Sequence, residues 1–160
     1  MKEIEKKFQV IHTDYKKGLK PVHVIQAYLF NDDLAHARIR IEDDVRAFLA
    51  LKKHISGFTR WEFEYPIPLK DAQEIMDQFA EGRIVEKNRY FPEFKGRRWD
   101  VDEYLGNNEG LIVAEIELEQ EDEHFDKPAW AGEELTEDPR YLNVNLAVFP
   151  YRKWKDVLTR

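Results

Sequence analysis

The chain has 160 residues, with 25 Lys and Arg against 32 Asp and Glu, a formal net charge of −7, 42% hydrophobic and 13% aromatic residues, and no cysteine. Lack of cysteine excludes a disulfide framework, thiolate zinc sites and cysteine nucleophiles, and the acidic balance argues against nonspecific nucleic-acid binding while leaving room for a local basic cluster that takes a small polyanion. This composition can bury a core and fits one domain over residues 1–160; no apolar run reaches membrane-span length and the N-terminus lacks an apolar signal core, so a soluble cytoplasmic protein without membrane partners is expected.

The opening segment Met1-Lys2-Glu3-Ile4-Glu5-Lys6-Lys7 places Glu3, Glu5 and Lys7 two residues apart. On a strand, side chains alternate between faces, so these three ionisable groups share one face. Two carboxylates beside an ammonium suit a site that receives a divalent cation and an anion. The break at 16–21 precedes a strand from Val22 to Phe30, and Asn31-Asp32-Asp33 and Glu42-Asp43-Asp44 read as turns. Between them Arg38 and Arg40 alternate with Ile39 and Ile41, and Lys52 follows the apolar run Phe48-Leu49-Ala50-Leu51. Lys53 to Thr59, containing Gly57, reads as a loop; Arg60, Glu62 and Glu64 then alternate with Trp61, Phe63 and Tyr65.

After Pro66 and Pro68 the period changes. Ala72, Ile75, Met76, Phe79 and Ala80 fall at helical spacing, with Asp71 as the expected N-cap and Gly82 as the stop. Strands are expected again over Val85–Tyr90, Arg98–Tyr104 and Leu111–Glu119, the last two joined by a hairpin-type connection at 106–110. They carry Lys87 and Arg89, Asp100 and Asp102, and Glu115, Glu117 and Glu119 on alternating positions. A short acidic helix is expected near Glu121–Phe125, a helix entered through Thr136-Glu137-Asp138-Pro139 and running to about Val148, and a last amphipathic helix carrying Trp154, Val157 and Leu158.

Two arrangements satisfy strands with one ionised and one apolar face. One is a half-exposed antiparallel sheet with its charges in water. The other is a sheet closed on itself, apolar side outward and ionised side around a wet cavity. Segregation of Arg/Lys pairs and Asp/Glu pairs onto different strands points to the second. The chain contains no GxxxxGK[ST], GxGxxG or HExxH motif, so phosphate recognition would fall to Arg and Lys side chains. His12, His23, His36, His54 and His124 show no metal-ligand spacing and read as surface or loop residues.

The ordered set of pairs resembles the CYTH superfamily, the triphosphate tunnel metalloenzymes, over nearly the whole chain. Glu3-Ile4-Glu5-Lys6-Lys7-Phe8 is similar to its ExExK opening, Arg38-Ile39-Arg40 to its basic strand, and Arg60-Trp61-Glu62-Phe63-Glu64 to its R-x-E-x-E strand. Residues 82–90 resemble the KxR segment, 99–102 the acidic strand, 114–118 the ExE strand, and 128–141 the tail of small bacterial inorganic triphosphatases.

This resemblance implies an α+β, β-rich fold: an eight-stranded antiparallel closed β-barrel forming a tunnel, with flanking helices. It also implies a triphosphate substrate and Mg2+ or Mn2+. In that frame Arg38, Arg40, Lys52, Lys87, Arg89 and Arg60 bind phosphate oxygens, while Glu3, Glu5, Asp102, Glu115 and Glu117 hold one or two metal ions; for Arg60, an internal ion pair with Glu62 that shapes the tunnel wall is the alternative. Lys7 and Tyr28 form a candidate pair that transfers a proton or orients water, with Glu5 beside them; Tyr28 as a packed strand residue is the alternative. The expected reaction is metal-dependent hydrolysis of tripolyphosphate to release orthophosphate, by a monomer or homodimer. A class IV adenylate cyclase, a thiamine triphosphatase and a non-catalytic polyphosphate-binding module remain the alternatives.

Overall fold

The structure is a computed structural model that describes residues 1–32 and 34–159, the side chains of residues 158 and 159 apart. Asp33 of the first expected turn and the Leu158 side chain of the last expected helix lie outside the described residues. In chain order the strands are β1 Lys2–Val10, β2 Val22–Asn31, β3 Ala35–Glu42, β4 Arg46–Ser56, β5 Thr59–Ile67, β6 Ile84–Tyr90, β7 Glu93–Phe94, β8 Arg97–Arg98, β9 Asp100–Tyr104, β10 Ile112–Glu117 and β11 Ala131–Glu134. Helix α1 spans Leu69–Phe79 and the single turn α2 spans Asn143–Leu146.

Eight strands run β10-β9-β6-β2-β3-β4-β5-β1, and β1 pairs back to β10, so the sheet closes into an antiparallel barrel. Closure happens along β1. Its residues Lys2 to Ile4 pair with β5, residues Glu5 to Gln9 pair with β10, and Phe8 and Val10 pair with the short β11. A closed sheet has no free edge in its ring, and strict alternation then fixes which side chains face inward.

The apolar faces point outward and are covered in two places. Phe8, Trp99, Val101, Ala114, Ile116, Leu118 and Trp130 form one core, with Phe125 packed against it. Helix α1 covers Ala27, Leu29, Ala37, Ile39, Ile41 and Ala47 with Ala72, Ala80, Ile75 and Met76. A third cluster is built differently. Tyr28, Val85, Tyr104 and Val113 sit on the inward parity of their strands, and Leu135, Tyr141, Val144, Leu146 and Trp154 of the C-terminal segment pack on them. The C-terminal segment therefore plugs one end of the barrel with apolar side chains.

Several local expectations are corrected. Lys53–Thr59 is not a loop: β4 continues to Ser56 and β5 starts at Thr59, leaving a two-residue turn. Gly57 takes φ +53 there, and a Cβ would lie 2.7 Å from Oε1 of Glu121, which itself accepts a hydrogen bond from Thr59 Oγ1 at 2.6 Å. That role, with Phe125 drawn into the core, explains why 121–125 forms a turn and extended chain rather than an acidic helix. Helix α1 begins after Pro68, so Asp71 lies in its first turn and is not the cap. The expected helix to Val148 is instead a 3-10 turn at Pro139–Tyr141, capped by the Asp138 carboxylate accepting from Arg140 N, followed by α2. The last helix is likewise two 3-10 segments, Tyr151–Lys153 and Lys155–Thr159. Among the described residues, no helix is long and apolar enough to cross a membrane.

Trp99 is fully buried against Phe8, Phe125 and Trp130 in edge-to-face contacts. Trp99→Ala is expected to destabilise the fold by about 3–5 kcal/mol, as for other large-to-small changes at buried aromatics. The measurement is the denaturant midpoint; an unmoved midpoint would show that this cluster does not hold the barrel wall.

Candidate active site

Inside the barrel lies a cavity of about 470 Å³, lined by Glu3, Glu5, Arg38, Arg40, Glu42, Lys52, Glu62, Glu64, Arg89, Phe91, Arg98, Asp100, Glu115, Glu117 and Asn143. Of the described lining residues, only Phe91 and Asn143 carry no charge. Apart from Arg98, each ionised residue arrives there by the parity of a barrel strand. Register pairs Glu3 with Arg60, Glu5 with Glu117, Lys7 with Glu115, Lys52 with Glu62, Arg89 with Asp102, and Asp100 with Glu115.

The cations are held by carboxylates. Arg40 makes a two-pronged contact with Glu64, both N–O distances 2.9 Å, and its Nε donates to Glu42 at 3.0 Å. Arg38 donates to the same Glu64 at 3.3 Å. Lys52 donates to Glu3 at 3.1 Å and lies 3.6 Å from Glu62. Burial and the Arg38 charge lower the Lys52 pKa, with Glu3 and Glu5 opposing. On the facing wall Arg89 grips Asp102 through Nε at 2.7 Å and a terminal nitrogen at 2.8 Å. Such fork contacts fix a guanidinium plane, which then presents its remaining N–H groups in a set direction.

Carboxylates dominate the β1, β9 and β10 wall. Burial, followed by the charge of Glu115, pushes the Glu5 carboxyl up to about 7. Burial and neighbouring carboxylates also raise Glu117 and Asp100. Glu115 goes the other way: burial favours its neutral form, but Lys7, Arg89 and Lys87 outweigh that and hold it well below the usual range. Lys7 donates to Glu115 at 2.6 Å and to Glu5 at 3.3 Å. Burial opposes its charge, yet those two carboxylates keep the ammonium protonated well above its ordinary range.

The expected site residues thus separate by depth. Glu3, Glu5, Arg38, Arg40, Lys52, Arg89, Glu115 and Glu117 line the cavity. Lys7, Tyr28, Arg60, Lys87 and Asp102 share the inward parity but stand off the lining. Lys87 and Asp102 are fully buried and 2.8 Å apart, and Lys87 also donates to Asn143 at 3.3 Å. Both Asp102 oxygens are taken by Arg89 and Lys87, while Asp100 reaches the cavity. Tyr28 is buried, which raises its hydroxyl pKa; Lys7 acts on it through its charge. His36 is not a surface or loop residue. It lies on β3, its ring edge-on to Tyr28, and burial with the charges of Lys52, Arg38 and Arg60 pushes its pKa down to about 3.

Sequence reasoning passed over Glu42 and Glu64 as site residues and preferred Asp102 to Asp100, although alternation with the other inward positions was a usable signal; Glu62, weighed there as the partner of Arg60, does reach the cavity. Asn143, Phe91 and Arg98 reach the cavity through tertiary packing and carry no such signal.

Comparison with known proteins agrees with this geometry. The chain is 46% identical over 155 residues to an inorganic triphosphatase of Acetivibrio thermocellus, covering 97% of this chain and 99% of the relative. It is 36% identical over 152 residues to an inorganic triphosphatase of Nitrosomonas europaea, covering 92% and 98%. The crystal structure of the inorganic triphosphatase NE1496 superposes with a TM-score of 0.65 at 34% identity, covering 91% of this chain and 94% of that one. The CYTH domain matches residues 1–147, and with these relatives it establishes that the chain belongs to the CYTH family.

Proposed function

We propose that the protein hydrolyses inorganic triphosphate held in the barrel cavity, releases orthophosphate, and does so with Mg2+ or Mn2+ in the cytoplasm. The observation that carries this reading is the convergence of Arg38, Arg40, Lys52 and Arg89 on a cavity that also receives the carboxylates of Glu3, Glu5, Asp100, Glu115 and Glu117. A linear triphosphate is a dense anion that needs several fixed cationic donors. Apart from Phe91, every described lining residue is polar or ionised, which suits a bare polyanion better than one bearing a base. The relatives named inorganic triphosphatase support the same substrate class.

The donor set fits a hard divalent cation. Glu3, Glu5, Asp100, Glu115 and Glu117 share one wall, and Glu5, Asp100 and Glu117 all resist ionisation there. A nearby cation relieves that electrostatic load. Among the described residues no three His, Asp or Glu side chains stand ready as a closed coordination sphere. Mg2+ does not need one, because it keeps waters and is commonly held by one or two carboxylates plus substrate oxygens. When bound, the ion would neutralise phosphate charge.

The chain's own residues then take distinct roles. Arg38, Arg40, Lys52 and Arg89 bind and orient the phosphates. Asp102 and Lys87, behind the lining, set the Arg89 plane, and Arg60 shapes the wall opposite Glu3. Lys7, kept protonated by Glu115 and Glu5, supplies charge rather than acting as a base. Phosphoryl transfer depends on positioning and charge stabilisation, so no covalent nucleophile is required.

Three measurements test this reading. First, orthophosphate release from tripolyphosphate should vanish in excess chelator and return with added Mg2+ or Mn2+; full activity in chelator would refute the metal dependence. Second, Arg40→Ala should weaken substrate binding by about 1–3 kcal/mol, the range for a charge-assisted hydrogen bond, seen as a higher KM; an unchanged KM would remove Arg40 from the phosphate clamp. Third, Glu5 has a folded-state pKa of about 7 against an ordinary 4.5, so the folded protein binds the extra proton between those values. Stability therefore falls as pH rises through that window. In chelator, Glu5→Gln should melt higher than the parent at pH above about 7, with the advantage shrinking towards pH 4.5. A variant that melts lower throughout would show that Glu5 is stabilising when ionised.

A further inference from the structure

Among the described lining residues of the cavity, Asn143 alone comes from the C-terminal segment that plugs the barrel end. It opens α2, and Val144 and Leu146 beside it pack into the plug. Its side-chain oxygen accepts from two groups inside the barrel, Lys87 Nζ at 3.3 Å and the Tyr104 hydroxyl at 2.7 Å. Those contacts settle which way the carboxamide points. Lys87 is 0% exposed and lies 2.8 Å from Asp102, an ion pair that keeps it an ammonium, and an ammonium donates but cannot accept. The atom it shares with Tyr104 is therefore the oxygen, because an Asn amide takes the orientation its network allows. The amide nitrogen then turns away from both. It has no acceptor among the described residues, and it is not one of the buried atoms left without a partner, so it keeps accessible surface. On a residue that lines the cavity, an accessible and unpaired NH2 is a donor offered to whatever the cavity holds.

Register puts this donor at the deep end. Arg89 pairs with Asp102 and Lys87 with Tyr104, so the second pair lies one inward step nearer the plug, in which Tyr104 itself packs. Lys87 does not line the cavity, yet its ammonium donates to the Asn143 oxygen. Hydrogen bonds in a chain polarise one another, so Lys87 and Tyr104 donating to Oδ1 make the Nδ2–H groups stronger donors. The positive charge buried behind the floor is thus expressed in the cavity through a carboxamide. An aspartate could accept the same two bonds, but it would turn an anionic oxygen to the cavity; only the amide accepts on one side and donates on the other.

We propose that Asn143 is a substrate-binding residue: its Nδ2 donates to a non-bridging oxygen of the innermost phosphoryl group of the triphosphate, while Lys87 and Tyr104 behind it fix and polarise the amide. This inference rests on the triphosphatase reading and deepens it. Arg38, Arg40, Lys52 and Arg89 grip the anion from the walls, and Asn143 meets its end at the floor. The C-terminal segment is then more than a lid on the barrel. Its apolar side chains keep the end dry, and its one polar tip sets how deep the anion sits. In phosphoryl transfer, where positioning and charge stabilisation carry the rate, a fixed stop of this kind places the chain of phosphates against the other donors.

The test compares Asn143→Ala and Asn143→Asp with the parent for kcat/KM on inorganic tripolyphosphate with Mg2+, alongside thermal melting. Ala removes the donor and the acceptor together. Asp keeps the acceptor for Lys87 and Tyr104, and so the floor, but replaces the donor with a negative oxygen. Loss of one hydrogen bond to a charged group should lower kcat/KM of Asn143→Ala by about tenfold or more. Asn143→Asp should lose more than Asn143→Ala while melting no lower than the parent. A residue that only holds the plug in place gives the opposite order, with Asp near the parent and Ala impaired, and that order would overturn the assignment. Unchanged kcat/KM in either folded variant would overturn it too. If one variant fails to fold, the other decides by the same tenfold mark: loss supports the contact and parity refutes it. A parent inactive on tripolyphosphate would sink the triphosphatase reading itself, a result distinct from an active parent indifferent to Asn143.

Discussion

Burial of many charges inside one closed sheet is the constraint on which this protein depends. Closure forces every second side chain of eight strands into a shared interior, away from bulk water. An isolated charge there carries a desolvation penalty of several kcal/mol, so the cations that line the cavity are matched by carboxylates. Glu64 holds Arg40 and Arg38, Glu3 holds Lys52, and Asp102 holds Arg89 and Lys87. Breaking one such pair would leave its partner buried and uncompensated. These acids are therefore best understood as counterions that keep the basic groups extended and oriented while the cavity waits for its anion.

The matching is not complete, and the remainder is informative. Lys7 satisfies Glu115, but Glu5, Glu117 and Asp100 keep raised pKa values under burial and mutual repulsion. A wall with surplus acid facing a wall of guanidinium and ammonium groups is poorly suited to a neutral ligand. It suits an anion and a cation entering together. The C-terminal segment adds the third element: Val144 and Leu146 seal the barrel end, while Asn143 beside them accepts from Lys87 and from the Tyr104 hydroxyl. One short turn thus makes a dry stop with a polar tip.

Much of this was legible because strand periodicity is strict. Glu3, Glu5 and Lys7, Arg38 and Arg40, and Glu115 and Glu117 all fall on the inward face, since a period of two admits no other shared face. Depth was not legible. Asp100 and Asp102 have the same parity, and only the barrel's geometry puts the first at the cavity and the second behind Arg89 and Lys87. The β4–β5 hairpin was misjudged because Lys53 to Thr59 is mostly polar and contains Gly57, although β4 runs on to Ser56. In the last third, tertiary contacts override local pattern: Phe125 leaves an acidic stretch for the core, and the expected helices shrink to single turns whose Tyr141, Val144, Leu146 and Trp154 pack on the barrel end. Nothing local marks Asn143 as a cavity residue.

The central claim is that the two charged walls hold a linear triphosphate and a divalent cation together. A crystal structure of the protein with tripolyphosphate and Mn2+ tests it most directly. The account predicts the three phosphates along Arg38, Arg40, Lys52 and Arg89, with anomalous density for the metal against Glu5, Glu117 and their neighbours. Triphosphate bound on the outer face, or held in the cavity with the metal elsewhere, would contradict it.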